Sequence, residues 1–321
     1  MNDGRLVAVK VQYPGVERAI RNDLDNAERL YPLLASFTLP GIDIHALVDE
    51  LRDRMADELD YRHEAAAQEE FAARYRGHPF VRVPRVIPER SARRVLTSEW
   101  VDGTPFAELV SEGDAAMQQH VAEVVFRFVQ GSLHTYRVFN ADPHPGNYRF
   151  HRDGTVTFLD FGLVKRFRDD EYASLVPTID HVLDADARGL VAAMERAGFL
   201  HAGHGVDPGR VLRTVSAPYL AYMEETYTFT PGYTRQAMTS LLDVRGPNAD
   251  VLAALDMPPS FVLLDRVVWG VSSLLGRLHA RNHWRGILGE YLHGADPVTD
   301  LGRAERRWRA AGGPDGRGGR S

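Results

Sequence analysis

The chain has 321 residues, 44% hydrophobic and 26% charged, enough for one large core or two smaller ones and unlike either a disordered chain or a fibrous repeat. Its 38 basic and 44 acidic residues leave a net charge of -6, so nucleic acid is not an expected partner. Cysteine is absent, which excludes disulfides, thiolate catalysis and cysteine-bound metal centres.

The first residues, Met1 to Arg5, show no basic-then-apolar leader, so a cytoplasmic chain without a signal peptide is expected. Arg5 to Gln12 alternates Val7, Val9 and Val11 on one face with Ala8, Lys10 and Gln12 on the other, the period of two of a half-buried strand. Pro14-Gly15 ends it, and Val16 to Phe37 reads as a polar-rich helix. After Pro40-Gly41, Leu47, Leu51, Met55 and Leu59 recur every fourth residue, predicting a long helix to about Arg76, stopped by Gly77-His78-Pro79. Arg82 to Pro88 and Arg94 to Trp100 read as short strands joined by a polar turn.

From about Asp114 the pattern is helical. After an interruption at Asn140 to Gly146 comes one hairpin, Tyr148 to His151 and Thr155 to Leu159, turning at Arg152-Asp153-Gly154. Everything past Asp169 reads as helices. The most apolar stretch, Phe261 to Gly276, is broken by Asp265 and Arg266 and falls short of the ~20 apolar residues of a bilayer span, so a buried helix and no transmembrane helix is expected. Ala311 to Ser321, rich in Gly and Arg, reads as a disordered tail. The expected fold is α+β, with a small mixed lobe over 1–101, a larger mostly helical lobe over 102–310, and a cleft between them.

The chemistry concentrates at Asn140-Ala141-Asp142-Pro143-His144-Pro145-Gly146-Asn147 and at Leu159-Asp160-Phe161-Gly162. Asp142 and Asn147 have the D-x-x-x-x-N spacing of a kinase catalytic loop, and Asp160 opens a D-F-G triplet thirteen positions after Asn147. One hairpin fills that interval and returns the chain beside its start, so Asn147 and Asp160 can share a magnesium ion. Asp142, holding no metal, is free to accept or orient an attacking hydroxyl. Each piece alone is ordinary turn chemistry; together they predict phosphoryl transfer.

Val7-Ala8-Val9-Lys10 supplies the other half: a strand lysine facing a cleft pairs with nucleotide phosphates, while the small Ala8 admits an adenine ring. All but two of the basic residues are arginine, the exceptions being Lys10 and Lys165. An ammonium in such a chain points to a site that needs a compact charge rather than a planar fork. On the long helix Asp57, Asp60 and Glu64 share a face and Glu58 points elsewhere, so they cannot all serve one lysine. Glu99, Trp100 and Val101 end the last small-lobe strand, where backbone groups can read an adenine edge.

These motifs resemble the UbiB (AarF-like) atypical kinases, relatives of protein kinases and of aminoglycoside phosphotransferases. The resemblance covers about residues 5 to 170 and loosely the later helices. It implies a two-lobed protein-kinase-like fold, Glu64 as partner of Lys10, Glu58 in an ExD helix, Asp142 as catalytic carboxylate, and Asn147 with Asp160 holding Mg2+ beside ATP. It also implies a link to isoprenoid quinone metabolism, with a small or lipid-like substrate and peripheral contact with a membrane. The family's KxGQ segment and alanine-rich loop precede its lysine strand; they are expected to be missing here, leaving a truncated small lobe and Glu58 without a partner. Asn140 stands where the family commonly has histidine. The alternatives are an inactive nucleotide-binding scaffold and an aminoglycoside-type phosphotransferase.

Overall fold

The computed structural model describes residues 4–16, 59–201, 203, 205–233, 248–256 and 259–314. The helix expected after Val16, most of the long helix with Asp57 and Glu58, and residues 315–321 of the tail lie outside them.

Along the chain come β1 (Val7–Val11), α1 (Tyr61–Arg74), β2 (Val81–Arg82), β3 (Val95–Glu99), α2 (Phe106–Glu112), α3 (Ala115–Tyr136), β4 (Val138–Asn140), β5 (Tyr148–Phe150), β6 (Val156–Phe158) and β7 (Val164–Arg166). Then follow α4 (Asp169–Leu183), α5 (Ala187–Ala197), α6 (Pro208–Val215), β8 (Tyr227–Thr228), α7 (Ala249–Ala254), α8 (Pro259–Arg277), β9 (Arg281–Asn282), α9 (Trp284–His293) and α10 (Asp300–Ala310). The chain divides into two compact units: Met1–Ala73 with Val83–Val101 and Asp160–Leu163, and Arg74–Arg82 with Asp102–Leu159 and Val164–Ser321.

In the smaller unit β1 pairs antiparallel with β3, Val7 opposite Glu99 and Val11 opposite Val95. The period of two holds, but the face turned toward protein is the one bearing Ala8, Lys10 and Gln12. Gln12 is buried and donates to the Leu59 carbonyl at 3.0 Å, whereas Val9 and Val11 are 53% and 63% exposed. Of the long helix expected, Leu59 and Asp60 are not helical: the Asp60 carboxylate accepts from the Arg62 amide at 3.1 Å, the Tyr61 amide reaches the Arg93 carbonyl, and a helix begins at Tyr61. Its inner stripe, Glu64, Ala67, Gln68 and Phe71, is buried; Gln68 donates to the Pro84 carbonyl at 2.7 Å, and the Phe71 ring lies 4.8 Å from that of Phe161.

The strand expected over Arg82 to Pro88 does not form. Val81 and Arg82 pair in parallel with Val156 and Thr157 of the larger unit, and Val86 makes a single bridge to Ser98. Pro84 and Pro88 cannot donate to a ladder, and a short 3-10 turn over Pro88–Arg90 takes up the remainder.

The larger unit is built around α3, whose Val121, Ala122, Val124, Val125 and Phe126 are completely buried. Asp114 caps its start by accepting from the Met117 amide, and Arg137 ends it with a left-handed φ of 55°. The expected hairpin is present: β5 and β6 pair antiparallel, and β6 sits between β5 and β2. Phe158 stacks on Phe128 of α3 at 3.6 Å between ring centroids, which seats the hairpin on the helix. Opposite, the buried Arg127 donates to Glu123, Glu290 and Thr299 and ties α9 and α10 to α3. The guanidinium fork suits this role because it satisfies several carboxylates at once. Among the described residues no helix is long and apolar enough to cross a membrane. Among the described residues past Asp169 the regular structure is helical as expected, apart from the short β8–β9 pair.

Candidate active site

In the smaller unit the Lys10 Nζ donates to both Glu64 carboxylate oxygens, each at 2.8 Å, and lies 3.4 Å from Asp160 Oδ2. Burial works against the ammonium, but the Glu64 hydrogen bond and the Glu64 and Asp160 charges outweigh it and hold Lys10 above its ordinary value. Burial also pushes the Glu64 carboxyl up, with Lys10 opposing and Asp160 adding to the rise. One ammonium thus faces two carboxylates. The Tyr61 ring, its centroid 5.2 Å from Nζ, completes the cation's surroundings. Asp60, on the same predicted face as Glu64, is engaged with Arg62 at 2.5 Å, so Glu64 is the partner that remains. Asp160 Oδ1 accepts from the Gly162 amide at 2.9 Å, fixing the carboxylate from within its own turn.

Ala8 lies half-buried next to Lys10 on the strand. Glu99 closes β3, but its carboxylate is taken by Arg85, at 2.8 Å from the guanidinium and 3.1 Å from the amide. Burial pushes this carboxyl up, and Arg85 more than reverses that, holding it below its ordinary value. Any reading of a base at Glu99 and Val101 therefore rests on backbone groups.

In the larger unit β4 delivers the chain into the catalytic-type loop. Asn140 Oδ1 accepts from the Asp142 amide at 2.9 Å, turning the loop where the family pattern has histidine. Asn147 Nδ2 donates to Asp142 Oδ2 at 3.0 Å, so the two motif residues touch directly. His144 Nδ1 accepts from the Gly146 amide at 3.1 Å, and a Cβ at Gly146 would lie 2.8 Å from that nitrogen, so a larger residue there would have to shift the imidazole. The Leu159 amide donates to the Asn147 carbonyl at 2.9 Å, which places the end of the hairpin beside the loop; Asp160 is one peptide bond on.

Taken singly, Asn147 in the larger unit and Asp160 in the smaller are oxygen donors of the type that suits a small hard cation. Asn147 has committed its Nδ2 to Asp142, and its Oδ1 has no hydrogen-bond partner among the described residues. Asp160 Oδ2 lies 3.4 Å from Lys10 Nζ, while its Oδ1 accepts from the Gly162 amide.

Two residues escaped the sequence reading. Arg266 on α8 approaches Asp142 Oδ1 to 3.7 Å, and Gly270, one turn on, lies so close to Pro143 that a Cβ there would run into the proline ring. The available signal was the charge at Arg266 interrupting an otherwise apolar helix; nothing local marked Gly270.

Comparison with known proteins adds the following. Residues 1–194 match the family model described as ABC1 atypical kinase-like domain. Over 209 residues the chain is 32% identical to Protein ACTIVITY OF BC1 COMPLEX KINASE 3, chloroplastic, of Arabidopsis thaliana, covering 64% of this chain and 29% of that protein. Over 300 residues it is 27% identical to Atypical kinase COQ8B, mitochondrial, of Rattus norvegicus, covering 91% of this chain and 55% of that one. It thus spans well under two thirds of either relative. A solved structure of Rv3197 with erythromycin, from Mycobacterium tuberculosis, superposes with a TM-score of 0.74 at 30% identity, over 92% of this chain and 73% of that chain.

Proposed function

The chain belongs to the ABC1 atypical kinase-like family, and from that membership we propose that it binds ATP with magnesium and either transfers the γ-phosphoryl group or hydrolyses it. The observation that carries this reading is the contact of Lys10 with both Glu64 oxygens at 2.8 Å, with Asp160 as a second carboxylate. In this reading Lys10 holds nucleotide phosphates, Ala8 makes room for the base, and the backbone at Glu99 and Val101 reads it. Asn147 and Asp160 would hold magnesium, which when bound neutralises phosphate charge. Asp142 accepts or orients the proton of the attacking hydroxyl, and Asn147 keeps its carboxylate in place. The acceptor is a small or lipid-like molecule, in line with the link to isoprenoid quinone metabolism that the resemblance implies, met by a chain working at a membrane surface.

The metal role is tested by titrating a fluorescent ATP analogue with and without magnesium. Magnesium is expected to tighten binding by the wild-type chain, and Asp160→Ala to remove most of that dependence. Equal, magnesium-independent affinities for both proteins would end the metal assignment.

Gly270 offers a test of loop placement. Alanine normally favours a helix interior by about 1 kcal/mol over glycine, but here the new methyl must displace Pro143, next to Asp142. Gly270→Ala is expected to lower ATP turnover by up to about 100-fold with nucleotide affinity nearly unchanged, since small misplacements of reacting groups have effects of that order. Unchanged turnover would mean that Pro143 yields without moving Asp142.

A further inference from the structure

The larger unit contains a cavity of ≈ 100 Å³ that none of the catalytic motifs lines. Leu175, Ile179 and Val182 of α4, Met194 of α5 and Phe261 and Leu264 of α8 make its wall apolar. Thr178, Thr214, Tyr219 and Asp265 break the lining, and two of them are titratable. Asp265 of α8 is half-buried by accessible area, yet protein packs around its carboxyl closely enough to push it up to about 6. Among the described residues it makes no hydrogen bond and no ion pair. Tyr219, the other titratable group of the lining, feels the Asp265 charge and is raised by burial well out of the physiological range.

A carboxylate withdrawn from water without a partner is costly, and two things relieve it: a proton or a cation. Near neutral pH the carboxyl is mostly ionised, so a cationic group entering an otherwise apolar cavity gains both charge pairing and apolar burial. We propose that this cavity is a binding site for an amphipathic small molecule that carries a protonated amine on an apolar body, with Asp265 pairing the amine. Tyr219 offers an aromatic face or an oxygen beside it. The site is separate from the nucleotide residues, although α8 also supplies Arg266, the neighbour of Asp142.

Three probes with one alkyl body and different heads separate the terms: octylamine, octanol and octanoate, each titrated calorimetrically into the full chain at pH 7.5. Octylamine is expected to bind at least about tenfold more tightly than octanol, the step worth ~1.4 kcal/mol, and octanoate more weakly than either. Asp265→Asn, nearly isosteric, should reduce the amine to the level of the alcohol. Because the variant no longer holds an unpaired carboxylate, its Tm at pH 7.5 should rise, which also shows that it folds. The wild-type chain supplies an independent arm. The carboxyl is protonated below about 6, so the preference for the amine should fall away between pH 7.5 and pH 5. Equal binding of amine and alcohol at pH 7.5, undiminished amine binding by Asp265→Asn, or no binding of any probe would each overturn the assignment.

Discussion

Replacing Asp142 with Asn is expected to lower ATP turnover by about 10²- to 10⁴-fold, the range for a lost general base, with nucleotide affinity little changed. The loop's scaffolding survives the substitution. Asn147 Nδ2 now donates to Asp142 Oδ2 at 3.0 Å, and an asparagine carbonyl in the same place can still accept that bond. The bond from the residue 142 amide to Asn140 Oδ1 belongs to the backbone and is untouched. The approach of Arg266, at 3.7 Å with its side chain 58% exposed, is a surface-type pair that contributes at most about 1 kcal/mol. What disappears is the charge that accepts or orients a proton. Phosphate release and fluorescent-nucleotide titration on the same preparations check the split. Undiminished turnover in Asp142→Asn would remove the catalytic role, and a wild-type chain that binds nucleotide without turnover would be a scaffold.

Lys10→Arg is expected to weaken nucleotide binding by about tenfold or more, equivalent to at least ~1.4 kcal/mol, even though arginine serves as cation almost everywhere else in this chain. The ammonium makes three close approaches from one point: two Glu64 oxygens at 2.8 Å and Asp160 Oδ2 at 3.4 Å. A longer planar fork would pair with Glu64 side-on and push its outer nitrogens toward the place the phosphates need. Glu64→Gln is a companion variant, since it keeps the shape but leaves the ammonium without its main counter-charge. Titration with the fluorescent nucleotide reads both. An arginine variant that binds as well as wild type would make Lys10 an ordinary solvated strand lysine.

Much of the candidate site was legible because its parts are local. The D-x-x-x-x-N interval from Asp142 to Asn147 spans one turn of loop, and the interval to Asp160 holds one hairpin, with β5 against β6 where alternation and the turn at Asp153-Gly154 placed it. The alternation of β1 likewise put Ala8 and Lys10 on one face. It could not say which face would meet protein. Val9 and Val11 are the exposed ones, because Lys10 and Gln12 find Glu64 and the Leu59 carbonyl on the inner side.

The sequence by itself determined the candidate residue types, their spacing, the helical character of the larger unit and the rarity of Lys10 among the chain's cations. Those properties follow from chain periodicity and turn chemistry over a few residues. Tertiary structure decided which partners meet across long separations. Lys10 and Glu64 are 54 positions apart, and Glu64 prevails over Asp60 only because Arg62 has taken Asp60. Val81 and Arg82 pair with Val156 and Thr157 rather than with the next strand, and Gly270 owes its importance to the passage of Pro143. Such pairings depend on how whole elements pack, and the same local patterns are compatible with several packings; the one adopted is that in which Lys10 and Arg127 find carboxylates and the prolines fall where no ladder bond is needed.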